Sequence, residues 1–132
     1  MGDHEAQIAQ VRRHWEHIGT DLDISHEMYH EDAVLEFPQS GERFEGLANF
    51  KEWRGRYPAD VRYRIRRMTA SEDHVVVECS VSYNAGPWQF GVQLLDFRGE
   101  KVARERIYVM EAWDAPEWRA SWRSETPADA PD

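Results

Sequence analysis

Two histidines bracket Glu27 in the run His26-Glu27-Met28-Tyr29-His30, the H-E-x-x-H spacing in which imidazoles one helical turn apart hold zinc while the glutamate activates water. The context argues against that chemistry. The run leads straight into a strand-like stretch, nothing in the sequence supplies a third ligand, and no metal is expected. His14 and His17 form a second pair, three residues apart, and read as solvated or cavity-edge histidines. Tyr29, Trp53, Tyr57, Tyr83 and Trp88 make up an aromatic set able to line a pocket for a flat, apolar molecule, although ordinary core packing accounts for any one of them. The single cysteine, Cys79, excludes an internal disulfide and reads as inert core in the middle of a strand.

A chain of 132 residues has room for one hydrophobic core. Hydrophobic residues make up 41% of it, with six Trp, five Tyr and five Phe, too aromatic a composition for disorder. Sixteen Lys and Arg stand against 25 Asp and Glu, a formal charge of −9 that repels phosphate backbones and anionic membrane surfaces. Nucleic acid and membrane are therefore excluded as expected partners. No apolar run is long enough for a signal segment or a membrane span, and together with the cysteine usage this predicts a cytoplasmic protein.

Ile8, Val11, Trp15 and Ile18 recur at helical spacing up to Gly19. Thr20 and Asp21 can cap a second, shorter helix carrying Leu22, Ile24, Met28 and Tyr29. That helix must stop before the alternating Ala33–Phe37 strand and its breaker Pro38. Gln39–Arg43 reads as a polar turn, and a third helical pattern then runs through Leu47, Phe50, Trp53 or Arg54, and Tyr57 to Pro58. Beyond Pro58 four strand-length runs follow: Tyr63–Arg66, Val75–Tyr83, Trp88–Phe97 and Val102–Met110. Asn84–Pro87 and Arg98–Lys101 sit where hairpin turns are needed, so consecutive strands should pair antiparallel. The expectation is an α+β domain over residues 1–125, helices in front and a strand meander behind, with residues 126–132 a disordered tail.

The run from Tyr29 to Pro38 with Gly41 and Gly46, then Asp96–Val102, Glu105–Tyr108 and Ala115–Arg119, resembles the SnoaL-like members of the nuclear-transport-factor-2-like (NTF2-like) superfamily. The likeness covers residues 8 to 122. It implies a cone of three N-terminal helices packed on a curved antiparallel sheet, a fold shared by isomerases, polyketide cyclases, dehydratases, epoxide hydrolases and non-catalytic modules. The catalytic base of the isomerases falls on Phe37, and their second acidic residue on Gln93, an amide that donates a hydrogen bond but abstracts no proton. Their helix-one tyrosine falls near Arg13, beside His14. Because helix one covers the pocket mouth in this fold, His14 could shuttle protons there; an exposed helix histidine is the plain alternative.

Strand alternation extends this matching. If Gln93 points inward, so do Gln89, Gly91 and Leu95, while Phe90, Val92 and Leu94 line an opposite face that a homodimer partner would cover. Ala103, Glu105, Ile107 and Val109 then point inward as well. Glu105 becomes the candidate general base or acid, raised in pKa by a wall of Phe37, Trp53 and Tyr57, with Gln93 orienting a substrate oxygen. The plain alternative is that Glu105 pairs with an arginine or faces solvent. Trp113, Trp118 and Trp122 suggest a C-terminal segment folded back over the sheet or onto the partner. The function this implies is binding of a small hydrophobic or aromatic molecule, with cofactor-independent isomerase, dehydratase, cyclase or hydrolase chemistry or, alternatively, no catalysis beyond ligand binding or dimerisation.

Overall fold

The computed structural model describes residues 4–124. Its first helix, α1 (His4–His17), ends in a tight turn in which the amides of Thr20 and Asp21 both donate to His17 O. The stripe it buries is Gln7, Val11 and His14, one residue round from the expected Ile8, Val11, Trp15 and Ile18. Trp15 instead packs at the edge of the core over Tyr63, with ring centroids 4.8 Å from His14 and 4.7 Å from Tyr63.

The second helix, α2 (Leu22–Ser25), is a single turn rather than a helix reaching Tyr29. Asp21 caps it by accepting from Ile24 N at 3.0 Å. Its far end is stopped by side chains. The Ser25 hydroxyl and His26 Nδ1 both donate to Leu22 O, at 3.0 and 2.8 Å, taking the carbonyl that a continuing helix would offer to the His26 amide. Strand β1 (Tyr29–Phe37) therefore begins four residues before Ala33. The stretch expected as a polar turn contains the start of a short strand, β2 (Glu42–Glu45), folded back on β1 through Gly41 at φ 76°. Helix α3 (Leu47–Arg54) follows, so the helices are not all placed ahead of the sheet.

Strands β3 (Val61–Ser71), β4 (His74–Tyr83), β5 (Gln89–Arg98) and β6 (Lys101–Met110) form the expected antiparallel meander. The sheet order is β2-β1-β6-β5-β4-β3, a curved mixed sheet rather than a wholly antiparallel one: β1 and β6 run parallel. A parallel neighbour needs a long connection, and here it is everything between the first strand and the last. Val11 of α1 and Phe50 of α3 pack against the inward residues of the sheet, including Leu35, Val77, Leu95 and Ile107.

Inward alternation holds along β5 and through Glu105 and Ile107, but Ala103 breaks it. Asp96 pairs with Arg104 and Phe97 with Val102, so Ala103 is an extra residue that turns Val102 inward in its place. The C-terminal tryptophans are not folded back on the sheet: Trp113, Trp118 and Trp122 are 82, 75 and 79% exposed around a 3-10 turn over Glu117–Trp122. The expected tail at residues 126–132 lies outside the described residues. Among the described residues no helix is long and apolar enough to cross a membrane.

Candidate functional site

Between the helices and the inward face of the sheet lies a cavity of about 270 Å³. Its wall is aromatic, formed by Trp15, Phe37, Trp53, Tyr57, Tyr63 and Tyr83, with Ile107 and Val109 contributed by β6. The polar lining groups that are most deeply buried are His26, Arg54 and Gln93. Asp60 also borders the cavity, but it is exposed and lies 3.7 Å from Arg62.

Arg54 reaches this position because it sits four residues after Phe50, on the face of α3 that is turned to the core. Its guanidinium lies 5.4 Å from the Phe50 ring centroid, 5.7 Å from Tyr29 and 6.0 Å from Trp53. Nη1 donates to the Tyr29 hydroxyl and to His26 Nε2, each at 3.1 Å. The Tyr29 hydroxyl in turn donates to Glu105 Oε1, which lies 3.7 Å from Arg54 Nη2. Glu105 is wholly buried, and its second oxygen, Oε2, has no hydrogen-bond partner among the described residues. A carboxylate, a phenol, an imidazole and a guanidinium thus form one buried network, anchored on β6, β1, the turn after α2, and α3.

Burial pushes the Glu105 carboxyl above the usual carboxylate range, with Arg54 and the Tyr29 hydroxyl pulling the other way. Burial also holds Tyr29 neutral, well above the ordinary phenol value. His26 is lowered to about 4, first by burial and then by the charge of Arg54. Its Nδ1–H donates to Leu22 O, which leaves the Nε2 lone pair for the Arg54 N–H. His14 is lowered to about 3, again by burial first and by Arg54 second. Its Nδ1 is committed to the Ser25 carbonyl and its Nε2 is buried without a partner among the described residues.

Of the residues singled out in the sequence, Phe37, Trp53, Tyr57, Tyr83 and Gln93 line the cavity. Glu105 lies behind that lining, paired with Arg54 as well as buried. His14 is neither exposed nor on the cavity wall; it packs against Tyr29 with ring centroids 5.8 Å apart. Tyr29 is buried too, a hydrogen-bonding member of the network rather than a wall residue. Trp88 is elsewhere, with the Arg64 guanidinium 4.1 Å from its ring centroid and no part in the cavity lining. Within the H-E-x-x-H run, His26 has left the helix and His30 is already in β1, bonded to Arg98 O at 2.6 Å, so the two imidazoles do not share a helical face. The sequence reading took His26 only as part of the H-E-x-x-H run and gave Arg54 no role at the site. The spacing of four from Phe50 was the available signal for Arg54.

Residues 11–105 match the family model of the SnoaL-like domain. An NTF-2 like protein of unknown function from Burkholderia xenovorans LB400 is similar at 31% identity, covering 94% of this chain and 98% of that one with a TM-score of 0.87. A provisionally named ketosteroid isomerase from Kribbella flavida DSM 17836 is similar at 22% identity, over 97% of this chain and 95% of that one, TM-score 0.85. An LEH-like epoxide hydrolase of M. tuberculosis is similar at 17% identity, over 80% and 83% of the two chains, TM-score 0.69. The last two likenesses show the fold alone. No curated protein sequence matches the chain.

Proposed function

Because the chain belongs to the SnoaL-like domain family, we propose that it binds a small aromatic or otherwise apolar molecule in the cavity between its helices and its sheet. The observation that carries this reading is the cavity itself, walled by aromatic rings and backed by a few convergent polar groups. Proton-transfer chemistry of the isomerase, dehydratase, cyclase or hydrolase type is a second reading. It is favoured by Glu105, a buried carboxyl of raised pKa with one oxygen unengaged, close behind the wall that Gln93 lines. In that reading Gln93 orients a substrate oxygen and Glu105 is the general base or acid. The half-exposed outer face of β5 and β6, with Phe90, Val92, Leu94 and Tyr108, supports a homodimer in which a second copy covers it.

Native mass spectrometry of the purified protein tests the reading in one spectrum. A dimer carrying an organic adduct is expected, and the adduct's mass then selects compounds for turnover assays with the wild type and Glu105→Gln. An adduct-free protein whose melting temperature is moved by no aromatic compound in a broad panel would remove the binding reading.

A further inference from the structure

The polar groups at the cavity are unequal in kind. Arg54 carries N–H donors and no acceptor. His26 has nothing left to offer, since Nδ1 serves Leu22 O and Nε2 accepts from Arg54. Gln93 Oε1 takes the Cys79 thiol at 3.5 Å, which leaves its amide N–H groups. The indole N–H groups of Trp15 and Trp53, both cavity-lining residues, are buried with no acceptor among the described residues. Among the most deeply buried of these groups donors therefore outnumber acceptors, one of them a permanent cation, while the one carboxylate among the described lining residues, Asp60, sits exposed at the rim beside Arg62.

That cation is incompletely met. Its Nη1 bonds go to neutral groups, the Tyr29 hydroxyl and the His26 ring. Its only nearby carboxylate, among the described residues, is Glu105, at 3.7 Å, beyond hydrogen-bond length and shared with Tyr29. A buried cation held this way gains most from an added anionic oxygen. We propose that Arg54 is the docking point for an anionic oxygen of the ligand, so that the cavity takes a planar aromatic acid, a carboxylate or an acidic phenol, in preference to its neutral counterpart. This rests on the small-molecule reading above and narrows its substrate class. Glu105 competes with the ligand for the same guanidinium, which sets the direction of its effect: removing its charge strengthens the hold on an anion.

Isothermal titration with 2-naphthoate, 2-hydroxybenzoate and benzoate, each against its neutral methyl ester, separates the two claims. In the wild type the anions should bind about tenfold more tightly than their esters. Arg54→Met should bring the acid-to-ester affinity ratio down to about one, and Glu105→Gln should raise that ratio severalfold. Should Arg54→Met fail to fold, Arg54→Lys keeps the charge without the planar fork and should retain part of the preference. Esters that bind as well as their acids in the wild type overturn the anion assignment and leave the cavity reading standing. If neither series binds, the aromatic-acid assignment falls, and the adduct spectrum and broad panel decide the cavity reading separately.

Discussion

Tyr29→Phe removes one oxygen from the centre of the buried network and little else. The ring stays in place, packed on Phe50 with centroids 5.1 Å apart and on His26 at 5.6 Å. Two hydrogen bonds vanish: the one donated to Glu105 Oε1 and the one accepted from Arg54 Nη1 at 3.1 Å. Each involves a charged or chargeable partner, in a class worth about 1.5–3 kcal/mol. The substitution also spares the desolvation of the hydroxyl itself, so the net loss should be about 3 kcal/mol rather than the full sum. For a domain of this size that corresponds to a fall in melting temperature of roughly 12 °C. Equilibrium urea unfolding gives the free energy directly, and an unchanged slope would show that the unfolded state is not the source of the effect. A loss below about 0.5 kcal/mol, the range of ordinary surface changes, would mean that the hydroxyl does not join Arg54 to Glu105 and that the network is wrongly drawn.

Acid should weaken the fold through His14 and His26, whose native pKa values of about 3 and about 4 lie below the 6.5 of the unfolded chain. Stability from these groups is present above pH 6.5 and is lost as pH falls, at up to roughly 2.7 kcal/mol per pH unit near pH 5 while both bind protons only when unfolded. Glu105, raised in the native state, works in the opposite direction as it takes up its proton; urea midpoints that stay flat from pH 7 to pH 5 would contradict the buried, neutral state of the histidines. Gly91→Ala would place a Cβ 2.7 Å from Cys79 Sγ and 3.4 Å from Gln93 Nε2. The crowding should cost roughly 1–3 kcal/mol and be largely relieved when Cys79→Ala is added, a double-mutant cycle whose additivity would show that the sulfur is not the obstacle.

The meander was legible because each of its runs alternates or is β-branched, and once the family resemblance set Gln93 inward, alternation and the same matching put Glu105 on the inner side as well. The same rule failed at Ala103, where the strand carries an extra residue that no local pattern announces. Helix α2 looked longer than it is because Met28 and Tyr29 fit a helical period, whereas the competition of Ser25 and His26 for one carbonyl depends on side-chain geometry. The parallel pairing of β1 with β6 joins segments too far apart for any turn signal to describe. Arg54 was hidden for a different reason. A buried arginine is intelligible only together with its partners, and those come from the turn after α2, from β1 and from β6, none of them adjacent to it in sequence.

The parallel seam between β1 and β6 also bears on the order in which the protein comes into being. Tyr29 and Glu105 are 76 residues apart, and their bond forms only when the first strand and the last lie side by side. During synthesis the first helix and the early hairpin emerge with the inner edge of β1 unpaired, and it stays so until β6 has been made. The chain should consequently fold slowly for its size, in a late step that seals the sheet and assembles the polar network together. Versions that end before β6 would carry an open strand edge and half a site, a combination suited to aggregation rather than to partial activity.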